Sequence, residues 1–526
     1  MQTMSNDALS TTLEDIAADH NRIATGEIES RLLEHPLVRE AVVVSCPEEP
    51  PDKQLEVYVV ADMVKLKALD RERDHLANSR LIDQWNKLYE LTYSAGPAAP
   101  SFVGWNSSYT RKPIPEAEMQ QWLLATVERI HALKPCKILE IGCGVGLLLQ
   151  HLAPRCAEYV GTDFSAAALA QLSRWVSQRS DLRNVELVHR PAADPLDMEN
   201  GRFDTVVLNS VVQYFPDVNY LLDVVREATR LVSPGGRIFI GDVRHRNSLA
   251  MFQSAVQLSR AADCVRVGQL RRRIVRAVAQ ETELLIDPLF FHALPGLLPG
   301  VSAANVQLRR GDAHNELTRY RYDVLLKIGE SHQKSVICEP VRWQSTDGLP
   351  WVEAALKERR WRAIHLVSIP NRRLSNDAAA RILIETSDEQ LSAGAIRSAL
   401  GETRKDWVDP ELFWQWGDTH GYDVSVGWDL RDSPEFFEVR LADRERGEPL
   451  PGVHISAGEI GPLNTYANNP QENALGQKLI LKLRESLRGK LSERNLPSAW
   501  TVLKQLPLAS DGSVDRGALM AANFPI

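Results

Sequence analysis

A glycine-rich turn that follows a short apolar run most tightly constrains what this chain can fold into. The run, Lys137–Ile141, is apolar at Ile138, Leu139 and Ile141, as expected of a buried parallel strand. Three glycines at alternate positions come next, and an apolar segment typical of a helix follows them: Gly142, Gly144, Gly146 and Leu147–Leu149. Glycines let the backbone turn sharply and approach a ligand closely. Because a helix N-terminus offers free N–H groups, the pattern predicts a strand–turn–helix unit that binds a nucleotide-like cofactor.

The overall composition narrows the class of protein. The chain has 526 residues, so we expect about two to four domains. Its hydrophobic fraction of 44% and charged fraction of 25% are typical of globular proteins, and its net charge of −8 argues against general binding of nucleic acids. The six cysteines lack metal-ligand spacing, and the sequence has neither a basic and apolar leader nor an apolar run of about 18 residues. We therefore expect a cytoplasmic protein without a membrane segment or a metal site.

Helices and strands are predicted to alternate between residues 126 and 245. After Lys137–Ile141, the expected strands are Glu158–Asp163, Val185–His189, Phe203–Leu208 and Gly236–Gly241. This alternation predicts an α/β fold whose parallel, doubly wound sheet is covered on both faces. Two further strands are expected to form an antiparallel edge, at Val306–Leu308 and Tyr320–Lys327. A helix is predicted earlier in the chain, over residues 81–89.

Three segments resemble the N-methyltransferase domains of nonribosomal peptide synthetases. Val103–Pro115 is similar to the family's VGWNSSYTxxPIP, Asn209–Pro216 to its NSVVQYFP, and His314–Val324 to its HNELTRFRYDV. The resemblance covers most of residues 76–330. It implies a seven-stranded, Rossmann-like class I methyltransferase sheet with S-adenosylmethionine as cofactor. It also implies N-methylation of an amino acid, or of an aminoacyl or peptidyl thioester on a carrier protein, in the biosynthesis of a nonribosomal peptide.

Both ends of the chain resemble pieces of the small C-terminal subdomain of adenylation domains in the same synthetases. Gly26–Val44 is similar to its start, and Leu506–Leu519 to its closing LPLTxNGKVDRxAL, with Ser513 in place of the lysine. A serine lacks the point charge that a lysine gives to a phosphate. We expect a remnant without adenylation activity that packs against the middle of the chain or, alternatively, docks a carrier protein. Because the sequence shows neither an adenylation core nor a carrier, we expect a carrier-bound substrate to be methylated in trans. The expected domains are a split α+β remnant (1–75 and 461–526), the methyltransferase (76–330) and a small α/β unit (331–460) with aromatic core residues Trp407, Phe413, Trp414 and Trp416.

The glycine turn has the form that S-adenosylmethionine enzymes use. Dinucleotides favour G-x-G-x-x-G, whereas here Glu140 precedes glycines at alternate positions. Asp163 ends the second strand, where a carboxylate can accept both ribose hydroxyls of either cofactor. The resemblance implies that residues after the third strand contact adenine and that residues after the fourth strand contact the methionine end. The expected cofactor-binding residues are Glu140, Gly142, Cys143, Gly144, Gly146, Asp163, Phe164, Ala193, Asp194, Asn209, Ser210 and Gln213.

Five side chains are candidates for chemistry on the methyl acceptor. An amine must be unprotonated to attack, so a histidine or a carboxylate should accept its proton. His245 follows the fifth strand, and Glu316 lies near His314 in the signature loop. Three further side chains are expected to orient the amine: Asn106, Tyr109 and Tyr214.

Several alternatives remain open on the sequence alone. The acceptor is a free small metabolite methylated on O, S or C in one alternative, and the chain is an inactive scaffold of a synthetase in another. The basic run between Arg271 and Arg276 predicts a solvated helix face or, alternatively, a patch for an acidic carrier protein.

Overall fold

The computed structural model describes most of the chain. The described residues are 25–46, 55–73, 82, 84–87, 90, 92, 100–329, 338–344, 348–359, 362–401, 406–447, 449–453, 461–491, 496–522 and 524. Of the helix predicted over 81–89, residues 82 and 84–87 are helical and the others lie outside the described residues. No helix within these ranges is both long and apolar enough to cross a membrane.

Strands and helices alternate along much of the chain. The strands are β1 (Val38–Ser45), β2 (Leu55–Ala61), β3 (Lys137–Ile141), β4 (Glu158–Asp163), β5 (Val185–His189), β6 (Phe203–Asn209), β7 (Val232–Arg244), β8 (Val301–Leu308), β9 (Arg321–Ile328), β10 (Pro340–Arg342), β11 (Ala363–Pro370), β12 (Tyr422–Trp428), β13 (Phe436–Asp443) and β14 (Ala499–Leu503). The helices are α1 (25–33), α2 (Met63–Arg73), α3 (Glu116–His131), α4 (Leu149–Leu152), α5 (Ala166–Ser177), α6 (Val218–Leu231), α7 (Leu249–Arg260), α8 (Val267–Ala279), α9 (Pro288–Leu297), α10 (Glu316–Arg319), α11 (Gly348–Arg359), α12 (Ser375–Thr386), α13 (Ala393–Ala399), α14 (Glu411–His420), α15 (Pro470–Leu487) and α16 (Arg516–Ala521).

Seven strands form one central sheet in the order β5-β4-β3-β6-β7-β9-β8. The first five run parallel, β9 pairs antiparallel with β7, and β8 pairs antiparallel with β9. The predicted α/β fold and its antiparallel edge are therefore confirmed. Strands β7 and β8 begin earlier than predicted, because Val232 pairs with Phe203 and Val301 pairs with Ile328. The carboxyl ends of the parallel strands share one edge, where open α/β sheets bind ligands.

The helices that follow these strands begin at capped positions. Ser165 accepts a hydrogen bond from the Ala168 N–H at 3.2 Å and so begins α5 two residues after β4 ends. Asp217 accepts from the Tyr220 N–H at 2.9 Å and begins α6. Buried residues of α6 recur at helical spacing against the sheet, namely Leu221, Val224, Val225, Ala228 and Leu231. Because the caps fix where the helices begin, they also fix the turns that line the sheet edge.

The two terminal pieces share one three-stranded sheet. β2 pairs antiparallel with β1 and parallel with β14, so that Trp500 lies opposite Val57. Helix α15 packs against this sheet through a common core that includes Leu479 and Leu483. Segments that lie far apart in the sequence thus form a single subdomain beside the central sheet.

The basic run on α8 connects this subdomain to the rest of the molecule. Arg272 is only 3% exposed, and its Nε lies 3.3 Å from Glu56 Oε1 on β2. The Arg276 guanidinium approaches the same oxygen at 3.2 Å. The Arg271 Nε donates to the carbonyl of Ile384 at 2.7 Å. The expectation of a solvated face is therefore wrong at Arg272, because β2 covers α8 on one side and α12 contacts it on another.

The unit predicted over 331–460 forms a four-stranded sheet in the order β10-β11-β13-β12. Its aromatic residues Phe413, Trp414 and Trp416 are buried as predicted, and Trp407 packs against them from a partly buried position. These side chains belong to the same hydrophobic core as the central sheet. Because the core is continuous, this sheet supports the side of the central sheet that carries β7, β9 and β8.

Candidate active site

The glycine turn after β3 needs glycine at three positions. Gly142, Gly144 and Gly146 have φ values of +81°, +51° and +85°, which L-residues rarely adopt. A Cβ at Gly142 would also lie less than 3.0 Å from Cγ2 of Val211, and one at Gly146 would lie 2.5 Å from Cδ1 of Leu172. The turn therefore packs against Val211, just after β6, on one side and against α5 on the other. The N–H groups of Gly142, Gly144 and Gly146 donate to the Thr162 carbonyl, to Asp163 Oδ2 and to the Cys143 carbonyl, and these bonds hold the turn in place.

Asp163 ends β4 directly beside this turn. Its Oδ2 accepts from the Gly144 N–H and its Oδ1 from the Ser165 N–H, each at 2.8 Å. The carboxyl is only 5% exposed, and burial raises its pKa above the ordinary range even though these bonds oppose the shift. Each carboxylate oxygen has a further lone pair, so the group can still accept hydrogen bonds from a ligand.

Glu140 lies one strand away and is also buried. Its Oε2 accepts from the Tyr159 hydroxyl at 2.6 Å. Burial, together with the charge of Asp163, raises its pKa to about 7, while the Tyr159 bond lowers it. Glu140 therefore holds a proton part of the time at neutral pH, which limits the negative charge next to Asp163.

A cavity of about 470 Å³ runs along the sheet edge from the glycine turn to β7 and β9. Most of the residues predicted from the sequence line it: Asn106, Glu140, Gly142, Cys143, Gly144, Asp163, Phe164, Asn209, Ser210, Gln213, Tyr214, His245 and Glu316. The sequence thus identified most of the wall from local motifs, although the segments come from distant parts of the chain.

Four predicted residues do not line the cavity. Gly146 faces Leu172 and serves the packing of the turn against α5. After β5 the chain stays beside the end of β4, where the Arg190 N–H donates to the Asp163 carbonyl at 2.9 Å. It then turns outward, and Asp194 is therefore exposed. Ala193 donates its N–H to the Tyr220 hydroxyl at 3.2 Å. The Tyr109 ring packs edge-on against Phe252, with 6.2 Å between ring centroids.

Arg190 occupies the place where the sequence predicted an acid. Its side chain lines the cavity and is 7% exposed. Within the described part of the chain, its Nε and Nη1 have no hydrogen-bond partner. An arginine directly before Pro191 gives no sequence signal for a ligand, so sequence reasoning missed it.

His245 lines the cavity with a neutral ring. The imidazole stacks on Trp428 of β12, with 4.2 Å between centroids and 10° between planes, and contacts Tyr322 edge-on. Burial lowers the pKa of His245 to about 3. So weak a base holds almost no proton at neutral pH, and the imidazole is therefore poorly suited to the proton-accepting role predicted for it.

Glu316 bonds to a loop that covers the cavity. Its Oε2 accepts from the Ser108 N–H at 2.8 Å and its Oε1 from the Ser108 hydroxyl at 2.7 Å. His314, in contrast, lies 2.8 Å from Asp409, toward the four-stranded sheet. Glu316 thus holds the loop of Trp105–Tyr109 against the sheet edge, which explains why two motifs distant in sequence occur together.

A short helical segment covers the cofactor end from the other side. The Glu90 carboxylate accepts from the Ser165 hydroxyl at 2.9 Å and from the Ala167 N–H at 3.1 Å. The Trp85 ring lies 4.8 Å from that of Tyr214. An acid at the first turn of α5 is favourable, so this segment is bound at the edge next to Asp163.

The chain shows clear similarity to known proteins. Residues 139–238 match the methyltransferase domain family. The chain is 36% identical to chondramide synthase of Chondromyces crocatus, over 96% of this chain and 13% of that protein. It is 33% identical to a probable non-canonical nonribosomal peptide synthetase of Salinispora arenicola, over 95% of this chain and 6% of that protein. Among solved structures, the CcbJ methyltransferase of Streptomyces caelestis is 20% identical with a TM-score of 0.24, over 28% of this chain and 58% of that one.

The topology of the sheet and the family match together define a class I methyltransferase that uses S-adenosylmethionine. The residues present fit this cofactor: Gly142 and Gly144 line the cavity without side chains, and Asp163 beside them offers acceptors to ribose hydroxyls. Over nearly its whole length the chain also matches nonribosomal peptide synthetases, of which it spans only a small part. The chain therefore contains a methyltransferase domain and, over nearly its whole length, is similar to a segment of these synthetases.

Proposed function

We propose that this chain transfers a methyl group to the nitrogen of an amino acid, most specifically of an aminoacyl or peptidyl thioester carried on the phosphopantetheine arm of a carrier protein. The observation that carries this proposal is the order of the site along the sheet edge. The cofactor residues lie at β3 and β4, and the same cavity continues past β6 to an end lined by Glu281, Glu283 and His245. Carboxylates favour a ligand that donates hydrogen bonds, as an amine does.

Alignment and proton removal are the tasks of the protein in this reaction. S-adenosylmethionine, when bound, would supply a methyl group on a sulfonium, an electrophile that brings its own neutral leaving group. The turn at Gly142 and the carboxylate of Asp163 fix one partner, while the residues at the end of β7 must fix the other. The neutral ring of His245 can orient the amine. The proton that nitrogen loses passes to a carboxylate of the cavity or to solvent.

The carrier-bound substrate is supported by the similarity to synthetases over 95% of the chain. The proposal requires only that the arm reach the cavity, whether the carrier belongs to the same polypeptide or to another. Such an arm would enter from the end at β7 and β9, because the glycine turn and Asp163 at the other end of the cavity are assigned to the cofactor.

The test uses purified protein, methyl-labelled S-adenosylmethionine and a set of carriers loaded with different amino acids. Label on the carrier, found on the α-nitrogen after thioester cleavage and mass analysis, is the expected result. Label on a free metabolite but never on a carrier would refute the carrier-bound substrate, and label on oxygen, sulfur or carbon would refute N-methylation. Failure to bind the cofactor in calorimetry would instead indicate an inactive scaffold.

A further inference from the structure

A pair of carboxylates stands at the acceptor end of the cavity, on the loop between α8 and α9. The Arg244 guanidinium lies between them, with Nη2 at 3.0 Å from Glu281 Oε2 and Nη1 at 2.8 Å from Glu283 Oε2. The Glu283 N–H donates to the remaining oxygen of Glu281 at 3.0 Å. Arg321, which also lines the cavity, lies near enough to interact with Glu283 but pairs with Asp242 at 2.6 Å, so Arg244 is the arginine that binds the two carboxylates directly.

The two carboxylates differ in how many of their oxygens already accept hydrogen bonds. Both oxygens of Glu281 are engaged, and the charge and hydrogen bonds of Arg244 lower its pKa, although burial alone would raise it. In the part of the chain that the structure describes, Glu283 Oε1 accepts no hydrogen bond, and the side chain is 28% exposed. Glu283 is thus the carboxylate of the pair that has a free oxygen toward the cavity.

Gln213 provides an independent sign that a hydrogen-bond donor binds here. It lines the same cavity and is only 2% exposed, yet its Oε1 has no partner among the described residues. Its Nε2 donates to the Ser210 carbonyl at 2.9 Å, which fixes the orientation of the amide. The Leu284 N–H donates to the backbone carbonyl of Gln213 at 2.8 Å, so the acidic loop lies next to Gln213. A buried acceptor without a partner is costly unless a ligand supplies one.

We propose that Glu283, together with Gln213, binds the amino group of the methyl acceptor and selects amines over hydroxyl compounds of the same shape. This inference rests on the proposed N-methyltransferase function. An amine donates two or three hydrogen bonds and carries positive charge when protonated, whereas a hydroxyl donates one and stays neutral. Among the other candidates, both oxygens of Glu316 already accept hydrogen bonds from Ser108 and His245 is neutral, so Glu283 has the greater remaining capacity to accept hydrogen bonds from an amine.

The test compares the wild type with Glu283→Gln, which keeps the shape of the side chain and removes its charge. The probes are the aminoacyl-pantetheine amide that corresponds to the best carrier substrate, and the matching hydroxyacyl-pantetheine amide. We expect Glu283→Gln to weaken inhibition by the amine probe about 10- to 100-fold, the range for a lost hydrogen bond to a charged group, and to leave the hydroxyl probe within about twofold. Gln213→Leu should weaken the amine probe in the same direction.

Glu445→Gln provides the matched control, because Glu445 is exposed in the turn after β13 and does not line the cavity. Cofactor affinity measured by calorimetry should stay at the wild-type value in Glu283→Gln, which separates acceptor binding from misfolding. Equal weakening of both probes, or no weakening of the amine probe, would overturn the inference. The proposed function fails in a different way, since the wild type itself would then methylate no carrier-bound amine.

Discussion

Gly142→Ala tests the placement of the cofactor most directly. The new methyl group would meet Cγ2 of Val211 at less than 3.0 Å and Cγ1 at 3.2 Å, on a backbone with φ of +81°. The left-handed conformation costs alanine about 1–2 kcal/mol, and forcing a methyl into a packed contact costs about 1–3 kcal/mol more. The free energy of unfolding should therefore fall by about 2–5 kcal/mol. Because Val211 lines the cavity, relief of the contact must shift either the turn or this wall.

Calorimetric titration with S-adenosylmethionine measures the consequence for binding. We expect the affinity of Gly142→Ala to fall at least about 10-fold, equivalent to about 1.4 kcal/mol. Gly235→Ala is the matched control, since Gly235 has φ of +85° but no atom within 4 Å of the position that a Cβ would occupy. The free energy of unfolding of that variant should fall by only about 1–2 kcal/mol, from backbone strain, and its cofactor affinity should be unchanged.

A double variant separates the contact from the backbone strain. Val211→Ala removes both γ-carbons and leaves Cβ at 3.4 Å, an ordinary contact. In that background Gly142→Ala should cost only about 1–2 kcal/mol of unfolding free energy, as at Gly235. An equal cost in both backgrounds would refute the packing argument. Wild-type cofactor affinity in Gly142→Ala would refute the placement of the ligand at this turn.

Three further predictions concern charge. Asp163→Asn should weaken S-adenosylmethionine binding about 10- to 100-fold in calorimetry, because a charged acceptor is lost; unchanged affinity would exclude Asp163 from the cofactor site. Burial lowers the pKa of His245 to about 3, so its contribution to stability is complete above the unfolded pKa near 6.5 and is lost as the pH falls toward 3. Urea unfolding of His245→Asn should therefore show a pH dependence between 6 and 4 that is shallower by about 1.4 kcal/mol per pH unit, and identical slopes would contradict the buried neutral ring. Glu56→Gln removes the carboxylate between Arg272 and Arg276 and should destabilise the attachment of the β1–β2–β14 sheet by about 3 kcal/mol, seen as faster amide exchange in β1 and β2 but not in β3; unchanged exchange would show that the contact contributes little.

Much of the fold and of the cofactor end could be predicted because their signals are local. The apolar run before Gly142 and the alternation of strands and helices specify β3 to β7, and each strand end then brings its own motif to the sheet edge. Asp163 is a good example, since a residue at the end of a strand has its position fixed by the strand itself. The predicted contact of Asp194 with the cofactor is not supported, because the position of Asp194 depends on a turn that leaves the residue exposed.

The acceptor end could not be predicted in the same way, because its contacts join distant parts of the chain. The sequence predicts His245 as a proton acceptor, yet Trp428 from another sheet stacks on it and burial keeps the ring neutral. Glu281 and Glu283 look like an ordinary acidic loop between two helices. Their pairing with Arg244 and their place in the cavity wall are visible only in the structure.

The subdomain formed by the two ends of the chain also reaches this acidic loop, and the contact gives that subdomain a specific structural role. The Asn468 Nδ2 donates to the Glu283 carbonyl at 2.8 Å, and its Oδ1 accepts from the Leu285 N–H at 2.8 Å. Asn468→Asp keeps the acceptor, loses the donor and places a negative charge next to that carbonyl.

We expect this variant to raise the KM for the aminoacyl carrier by about 3- to 10-fold, the loss of roughly one ordinary hydrogen bond, with kcat and the cofactor Kd nearly unchanged. Asn200→Asp is the control, because Asn200 accepts from Arg230 on the far side of the sheet and keeps that bond as an acid. Steady-state kinetics with varied carrier at saturating cofactor distinguish the two. An unchanged KM in Asn468→Asp would mean that the loop holds its position without the terminal subdomain, and that subdomain would then contribute only packing.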